Sequence, residues 1–358
     1  MISPDYDGGS IVNLMASIEE RLAGTTPGTI LSEAKIPAAA SYLVVLFDGL
    51  GDGQLAHEDA APLAQSRTDA LDTTFPTTTT TALASLATAA APAEHGLLGY
   101  EMWLPEANMA VNTIHWTPVG GGSVVDIDFD AFLPSPNLWE RLVAAGLEPV
   151  TVQPSNFMGS PMSRVLYRGC RYEPVDTYED WLEAAVTMAA EPGRLVFAYF
   201  GAVDVAAHLK GQDSDEYRGS VRLAAALWER LVARMAPESV VIGTADHGHV
   251  DAIDRVKLPK ELQEAGEVYG GGRVIFARND VSQMAGGLPA RWVDGSEVAT
   301  WFGTGGRHPH LDDRVPAGAL VANDGVRLLH KHSDKRLIGV HGGLSEAERR
   351  VPLLIGQP

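Results

Sequence analysis

VVIGTADHGHV, residues Val240–Val250, is the stretch whose reading decides the fold. VVIGT has the β-branched character of a short strand buried on both faces, and Asp246, His247 and the breaker Gly248 follow at once. Open α/β sheets bind their ligands at the carboxyl ends of the strands. Two adjacent side chains able to ligate a metal therefore stand where a site belongs. The competing reading is a strand-ending turn with an exposed Asp–His pair, and the motif alone favours neither.

Working outward, two further apolar runs end in an aspartate. LVVLFD closes a strand over Tyr42–Phe47 at Asp48 and breaks at Gly49, and VFAYFGAVD reads as a strand ending at Asp204. Helices separate the strands. Ile11–Ala23 carries Ile11, Leu14, Met15, Ile18 and Leu22 at helical spacing, with Ser10 as N-cap and Gly24 past its end. NLWERLVAAG is opened by Ser135 and Pro136 and leads to the strand LEPVTVQ. Tyr178–Ala190 and Asp215–Ala236 are the next two helices. In TTFPTTTTTALASLATAAAPAEH, Thr73–His95, Phe75 and Pro76 mark a turn, and the helix TTTTALASLATAA, residues 78–90, is expected to run on until Pro92. This alternation predicts an α/β fold, a doubly wound, mostly parallel sheet flanked by helices. After Asp251 glycines multiply, apolar runs shorten, and two His-bearing loops appear, TGGRHPHLDD and LLHKHSD. Residues 1–250 and 336–358 are accordingly read as the core and 251–335 as an inserted, cap-like region.

Composition narrows the function. The 358 residues are 45% hydrophobic and 20% charged, which is globular. A net charge of -19 argues against a nucleic-acid polymer or an anionic membrane as partner, though metal ions can reverse the sign locally for a small anion. The single cysteine, Cys170, excludes a disulfide framework and a thiolate cluster, so any metal rests on His and carboxylates. With neither a signal-peptide pattern at MISPDYDGGS nor a run of about 18 apolar residues, the chain is expected to be cytoplasmic. Oligomeric state is not legible.

Carboxylates at strand ends often cap helices, but three of them, two with a His at useful spacing, exceed that explanation. His208 follows Asp204 by four residues, His247 adjoins Asp246, and His341 precedes Gly342 and Gly343. Oxygen and imidazole donors suit zinc, manganese or a similar ion, and six of them suffice for two sites with open positions. Two such metals stabilise the entering and leaving oxygens of a phosphoryl group. A Thr hydroxyl at a helix start, where phosphate binds readily, would supply the nucleophile, and Thr77–Thr81 offers five.

LVVLFDGLG, the Thr-rich segment through LATAAAPAEHGLLGY, GAVDVAAHLKG, GTADHGHVD and HGGLSEAERRVPLLI stand together in this order. Jointly they resemble the alkaline phosphatase superfamily, and most closely its nucleotide pyrophosphatase/phosphodiesterase (type I phosphodiesterase) branch. The resemblance implies that Asp204, His208 and His341 form one metal site, and that Asp48, Asp246 and His247 form a second with the nucleophilic Thr. It implies zinc, although the residues alone would accept manganese. Counting back from Thr88, Ala89 and PAEHG selects Thr79 as nucleophile; Thr74, in a TFP triplet, is second, with Thr78 and Thr80 behind. Where the family often carries an oxyanion-binding Asn this chain has Tyr100, so the role falls to Tyr100, to Asn112 or to a backbone N–H.

The expected activity is hydrolysis of a small phosphate diester or nucleotide pyrophosphate through a phosphothreonine. The alternatives are a phosphomonoesterase or phosphonate hydrolase of the same superfamily, and a metal-stabilised binding protein without catalysis. A sulfatase lacks its Cys/Ser-x-Pro-x-Arg motif here, and neither the Ser nucleophile nor the basic cap of a phosphoglycerate-mutase-like role stands out. Tyr100, Trp103 and Trp116 are candidates to stack a flat group. His308, His310, His330 and His332 read as solvated loop residues, Arg164 as a surface residue, Cys170 as a small buried hydrophobe and His249 as a loop residue.

Overall fold

The computed structural model describes residues 2–32 and 35–357. Seven strands build its central sheet: β1 (Ser41–Phe47), β2 (Arg67–Asp72), β3 (Glu148–Pro154), β4 (Arg171–Val175), β5 (Arg194–Phe200), β6 (Ser239–Thr244) and β7 (Arg350–Gly356). Their spatial order is β2-β7-β6-β1-β5-β3-β4. β1, β3, β4, β5 and β6 run parallel; β7 is antiparallel to both β6 and β2. Every residue of β1 and β6 is buried, as central parallel strands covered on both faces require. The consecutive strands β5 and β6 lie on opposite sides of β1, joined by the helices Ala202–Lys210 and Asp215–Arg234. The carboxyl ends of β5, β1 and β6 therefore open side by side at a switch in strand order.

The helices pack as two groups flanking this sheet. Ile11–Ala23, Thr79–Thr88 and Leu138–Ala144 touch one another, as do Tyr178–Ala189 and Asp215–Arg234. The first helix has the predicted ends: the Ser10 amide donates to Asn13 Oδ1 at 2.9 Å, and Gly24 closes it at φ 74° with its N–H on the Glu20 carbonyl. No helix among the described residues is long and apolar enough to cross a membrane.

Two boundaries differ from expectation. The Thr-rich helix runs from Thr79 to Thr88, starting one residue later and ending two earlier than TTTTALASLATAA, because Thr78 is extended and Ala89 turns left-handed at φ 52°. Strand β5 stops at Phe200, so Asp204 lies in the first turn of the helix Ala202–Lys210 instead of at a strand end. Within residues 251–335, a four-stranded antiparallel sheet orders Val268–Tyr269, Val274–Ala277, Gly318–Ala322 and Ala290–Asp294. It is sealed onto the larger sheet's domain. Phe75 packs edge-on to Trp301 at 4.9 Å and tilted against Phe302 at 5.6 Å between centroids. The buried Arg273, 3% exposed, pairs with the fully buried Glu348 at 3.1 Å, seven residues beyond His341.

Candidate active site

Asp48 follows β1 directly, and Asp246 and His247 follow β6. Asp204 and His208 stand one turn apart on their helix, with His208 Nε2 3.3 Å from Asp204 Oδ1. His341 arrives on the short strand Gly339–Val340, which pairs antiparallel with Val250–Asp251 just beyond His249. The six carboxylates and imidazoles singled out in the sequence thus converge from separate elements. His341 Nε2 is 3.1 Å from His208 Nε2, and the His341 ring stacks on His247 at 3.5 Å. His247 Nε2 lies 3.5 Å from Asp48 Oδ1 and 3.3 Å from Asp246 Oδ2. Ligand atoms of Asp204, His208, His249 and His341 gather within 4.8 Å of one another, as do those of Asp48, Asp204 and His247.

His249 escaped the sequence reading. It is 1% exposed, and its Nε2 lies 2.8 Å from Asp204 Oδ1. The signal available was its position two residues after His247, which returns a side chain to the same side of an extended segment.

Whether these residues fit divalent ions is tested by the atoms left without partners. Asp246 Oδ1 accepts the amides of Gly49 and His247, each at 3.1 Å, while the buried Asp246 Oδ2 has no partner. Asp48 Oδ2 accepts the Tyr199 hydroxyl, and the buried Asp48 Oδ1 has none. Each carboxylate is held by one oxygen and offers the other. The imidazoles follow the same plan: Nδ1 of His208, His341 and His247 faces the carbonyl of Gly339 (2.8 Å), Thr77 (2.7 Å) and Gly248 (3.2 Å). That contact makes Nδ1 the donor and leaves Nε2 as the lone-pair nitrogen turned into the cluster. Burial and the charges of Asp246 and Asp204 push the Asp48 carboxyl well up, and burial with the neighbouring histidines pushes His341 well down. Oxygen and imidazole donors in this arrangement fit two divalent ions.

Tyr199 is the second residue the sequence did not single out. Tyr199→Phe keeps the ring and removes the donor that orients Asp48. It is expected to weaken divalent-ion retention by roughly 10- to 100-fold, read by titrating activity against buffered metal. Unchanged retention would show that the Tyr199 hydroxyl does not orient Asp48 for a metal.

Of the five hydroxyls in Thr77–Thr81, only that of Thr79 meets the cluster, 3.2 Å from His247 Nε2. Thr77 Oγ1 donates to the Gly343 carbonyl, Thr78 and Thr81 pair with each other, and Thr80 accepts from Thr113. Thr74 Oγ1 donates to the Pro76 carbonyl at 3.2 Å. Thr79 is also the first residue of its ten-residue helix, where unpaired amides and the helix dipole favour an anion.

Two chambers meet at Thr79. One, about 340 Å³, is mainly apolar, walled by Leu83, Ile114, Phe157, Met162, Tyr167 and Tyr199 among others. The other, about 360 Å³, is the more polar of the two and takes in Tyr100, Asp204, His208 and His341 with Gly270, Arg327 and His330 from the 251–335 region. A larger cavity of about 660 Å³ lies beyond the far end of the Thr79–Thr88 helix, walled by Asp5, Thr88 and Gly305, and contains none of these residues.

Tyr100 thus faces the polar chamber. Asn112 does not line it; its Oδ1 accepts the amides of Ile114 and His115 and holds a turn. Trp116 is no stacking platform: it is fully buried, packed edge-on against Phe129 and Phe132. Trp103 carries the Arg278 guanidinium on its ring at 4.7 Å, outside both chambers. Arg164 pairs with Asp130 at the surface, and Cys170 is half-buried against the core. His308 and His310 lie apart from both chambers; His330, expected in a solvated loop, is instead 4% exposed in the polar wall.

The chain is similar to known proteins. Residues 42–344 match the family of type I phosphodiesterases/nucleotide pyrophosphatases, and the chain belongs to that family of phosphoric ester hydrolases. No curated protein sequence matches it. Among solved structures, an inactive variant of murine ectonucleotide pyrophosphatase/phosphodiesterase 5 in complex with AMP is 20% identical, with a TM-score of 0.69 over 88% of each chain. Phosphonoacetate hydrolase from Sinorhizobium meliloti 1021, in complex with phosphonoacetate, is 18% identical, with a TM-score of 0.64 over 90% of this chain and 91% of that one. Both are likenesses of fold.

Proposed function

We propose that the chain is a phosphodiesterase whose nucleophile is Thr79, with Asp204, His208 and His341 holding one divalent ion and Asp48, Asp246 and His247 the other, zinc being the expected metal. When bound, these ions supply Lewis-acid charge to the entering and leaving oxygens. The observation that carries the reading is the position of Thr79 Oγ1, alone among its neighbours beside His247, at the junction of two chambers. A diester presents a group on either side of phosphorus and fills both chambers, whereas a monoester fills one.

In-line attack by Thr79 Oγ1 sends the leaving oxygen to the far side of phosphorus. Asp204, His208 and His341 line the polar chamber and not the apolar one. The departing group therefore lies in the polar chamber and the retained substituent in the apolar one, against Phe157, Met162 and Tyr167. Attack forms the Thr79 Oγ1–P bond and breaks the bond to the leaving oxygen; water then cleaves the phosphothreonine. Tyr100, facing the polar chamber, is the candidate donor to a phosphoryl oxygen. Residues 251–335 act as a cap that walls this chamber.

The test is a panel of monoesters and diesters sharing one leaving group. Diesters with an apolar retained group are expected to exceed the matched monoester in kcat/KM by about tenfold or more, the worth of one well-filled apolar contact. Monoesters faster by orders of magnitude would overturn the diester reading in favour of a phosphomonoesterase.

A further inference from the structure

Glu101 contributes a buried carboxyl to the polar chamber, a group to which the proposed chemistry assigns no part. It is 7% exposed, and its Oε2 accepts the Gly270 amide at 2.8 Å. The second neighbour is His330 Nε2 at 3.4 Å. His330 Nδ1 accepts the His332 amide at 3.3 Å, so its Nε2 bears the proton, shared between the Gly270 carbonyl (3.2 Å) and Glu101. Burial and nearby cationic groups lower the His330 pKa to about 4, which keeps the ring neutral. No Lys or Arg ion pair to Glu101 occurs among the described residues.

These contacts clasp the core to residues 251–335, but a glutamine carbonyl would accept the Gly270 amide equally well. A buried carboxyl without a cationic partner is costly, and the clasp does not account for it. Burial raises the Glu101 pKa to about 7, so a charged or donating partner in the chamber would be strongly felt. Of the other charged side chains of this wall, Asp204 belongs to the proposed metal cluster, and Arg327 is tied down through its two terminal nitrogens while its buried Nε has no partner. Arg327 donates to the carbonyls of Leu337 and Asp334, and Asp334 pairs with Arg336 at 2.7 Å.

We propose that Glu101 is a specificity-determining residue that reads the leaving group, favouring an alcohol that carries an ammonium or hydroxyl donor and disfavouring a polyanion such as pyrophosphate. This rests on the assignment of the polar chamber to the departing group, and it selects diesters over nucleotide pyrophosphates within the proposed activity.

The experiment compares wild type with Glu101→Gln, which keeps the Gly270 contact and removes the charge. The substrates share one retained nucleoside monophosphate and differ in leaving group: ethanolamine, glycerol or pyrophosphate. Taking the variant-to-wild-type ratio of kcat/KM for each substrate cancels intrinsic reactivity. The ratio is expected to fall about tenfold or more for ethanolamine and to rise severalfold for pyrophosphate, with glycerol between. Inhibition by free ethanolamine should weaken in the variant and inhibition by pyrophosphate strengthen. The same ratio for all three substrates, as a purely structural clasp gives, overturns the proposal. If wild type cleaves none of the three in a Thr79-dependent manner, the parent reading falls and this one with it; if it cleaves them with equal ratios, only the role of Glu101 falls.

Discussion

Thr79→Ala is expected to lower kcat on a nitrophenyl diester by roughly three orders of magnitude or more, the scale on which loss of a covalent nucleophile is felt. Thr74→Ala is expected to stay near wild type. The contrast follows from where each hydroxyl points. Thr79 Oγ1 sits 3.2 Å from His247 Nε2 at the helix start, while Thr74 Oγ1 is closed onto the Pro76 carbonyl two residues on. Thr77 is a useful control. It donates to Gly343, accepts from Gly342, and through its carbonyl holds His341 Nδ1, so its loss disturbs the loop geometry and not the attacking atom. Steady-state rates of the three alanine variants, with circular dichroism to confirm folding, check the register. Loss of activity in Thr74→Ala with retention in Thr79→Ala would sink it.

Asp246→Asn should have the second large effect. Asp246 Oδ1 is fixed by two backbone amides, which an asparagine carbonyl can still accept, while the unpartnered Oδ2 would become an NH2 pointing at the cluster. A donor in that position cannot ligate and repels a cation. Bound divalent ion, measured by elemental analysis after desalting, is expected to fall from about two to about one per chain, and activity by roughly 100-fold or more, since one of two ions carries much of the charge stabilisation. A variant that keeps both ions and the wild-type rate would remove Asp246 from the ligand set.

The central strands were legible because burial on both faces forces uninterrupted apolar runs, as in LVVLFD and VVIGT. The strands β2 and β4 were not. Arg67–Asp72 and Arg171–Val175 are edge strands with exposed polar residues, and nothing in RTDALD or RYEPV separates them from loop. The reversed direction of β7, antiparallel to its neighbours β2 and β6, also came from the structure alone. At the site, chemistry written in residue type was readable, and chemistry written in direction was not. Asp48, Asp246, His247 and the Asp204–His208 pair announce themselves by kind and spacing. Tyr199 looks like any half-buried strand aromatic until its hydroxyl is seen on Asp48. Asp204 reached the cluster from a helix instead of a strand end, since Gly201 breaks β5 before it. Trp116 failed as a stacking candidate because its ring lies among Phe129 and Phe132, contacts between residues more than ten apart in an irregular region.

The most direct test of the central claim is acid quenching of the metal-loaded enzyme during turnover of a slow diester, followed by peptide mapping. The adduct should consist of the phosphoryl group with its retained substituent, attached to Thr79 and absent in Thr79→Ala. An adduct on Thr74 or on a histidine, or inversion of configuration at phosphorus with no adduct at all, would contradict the account.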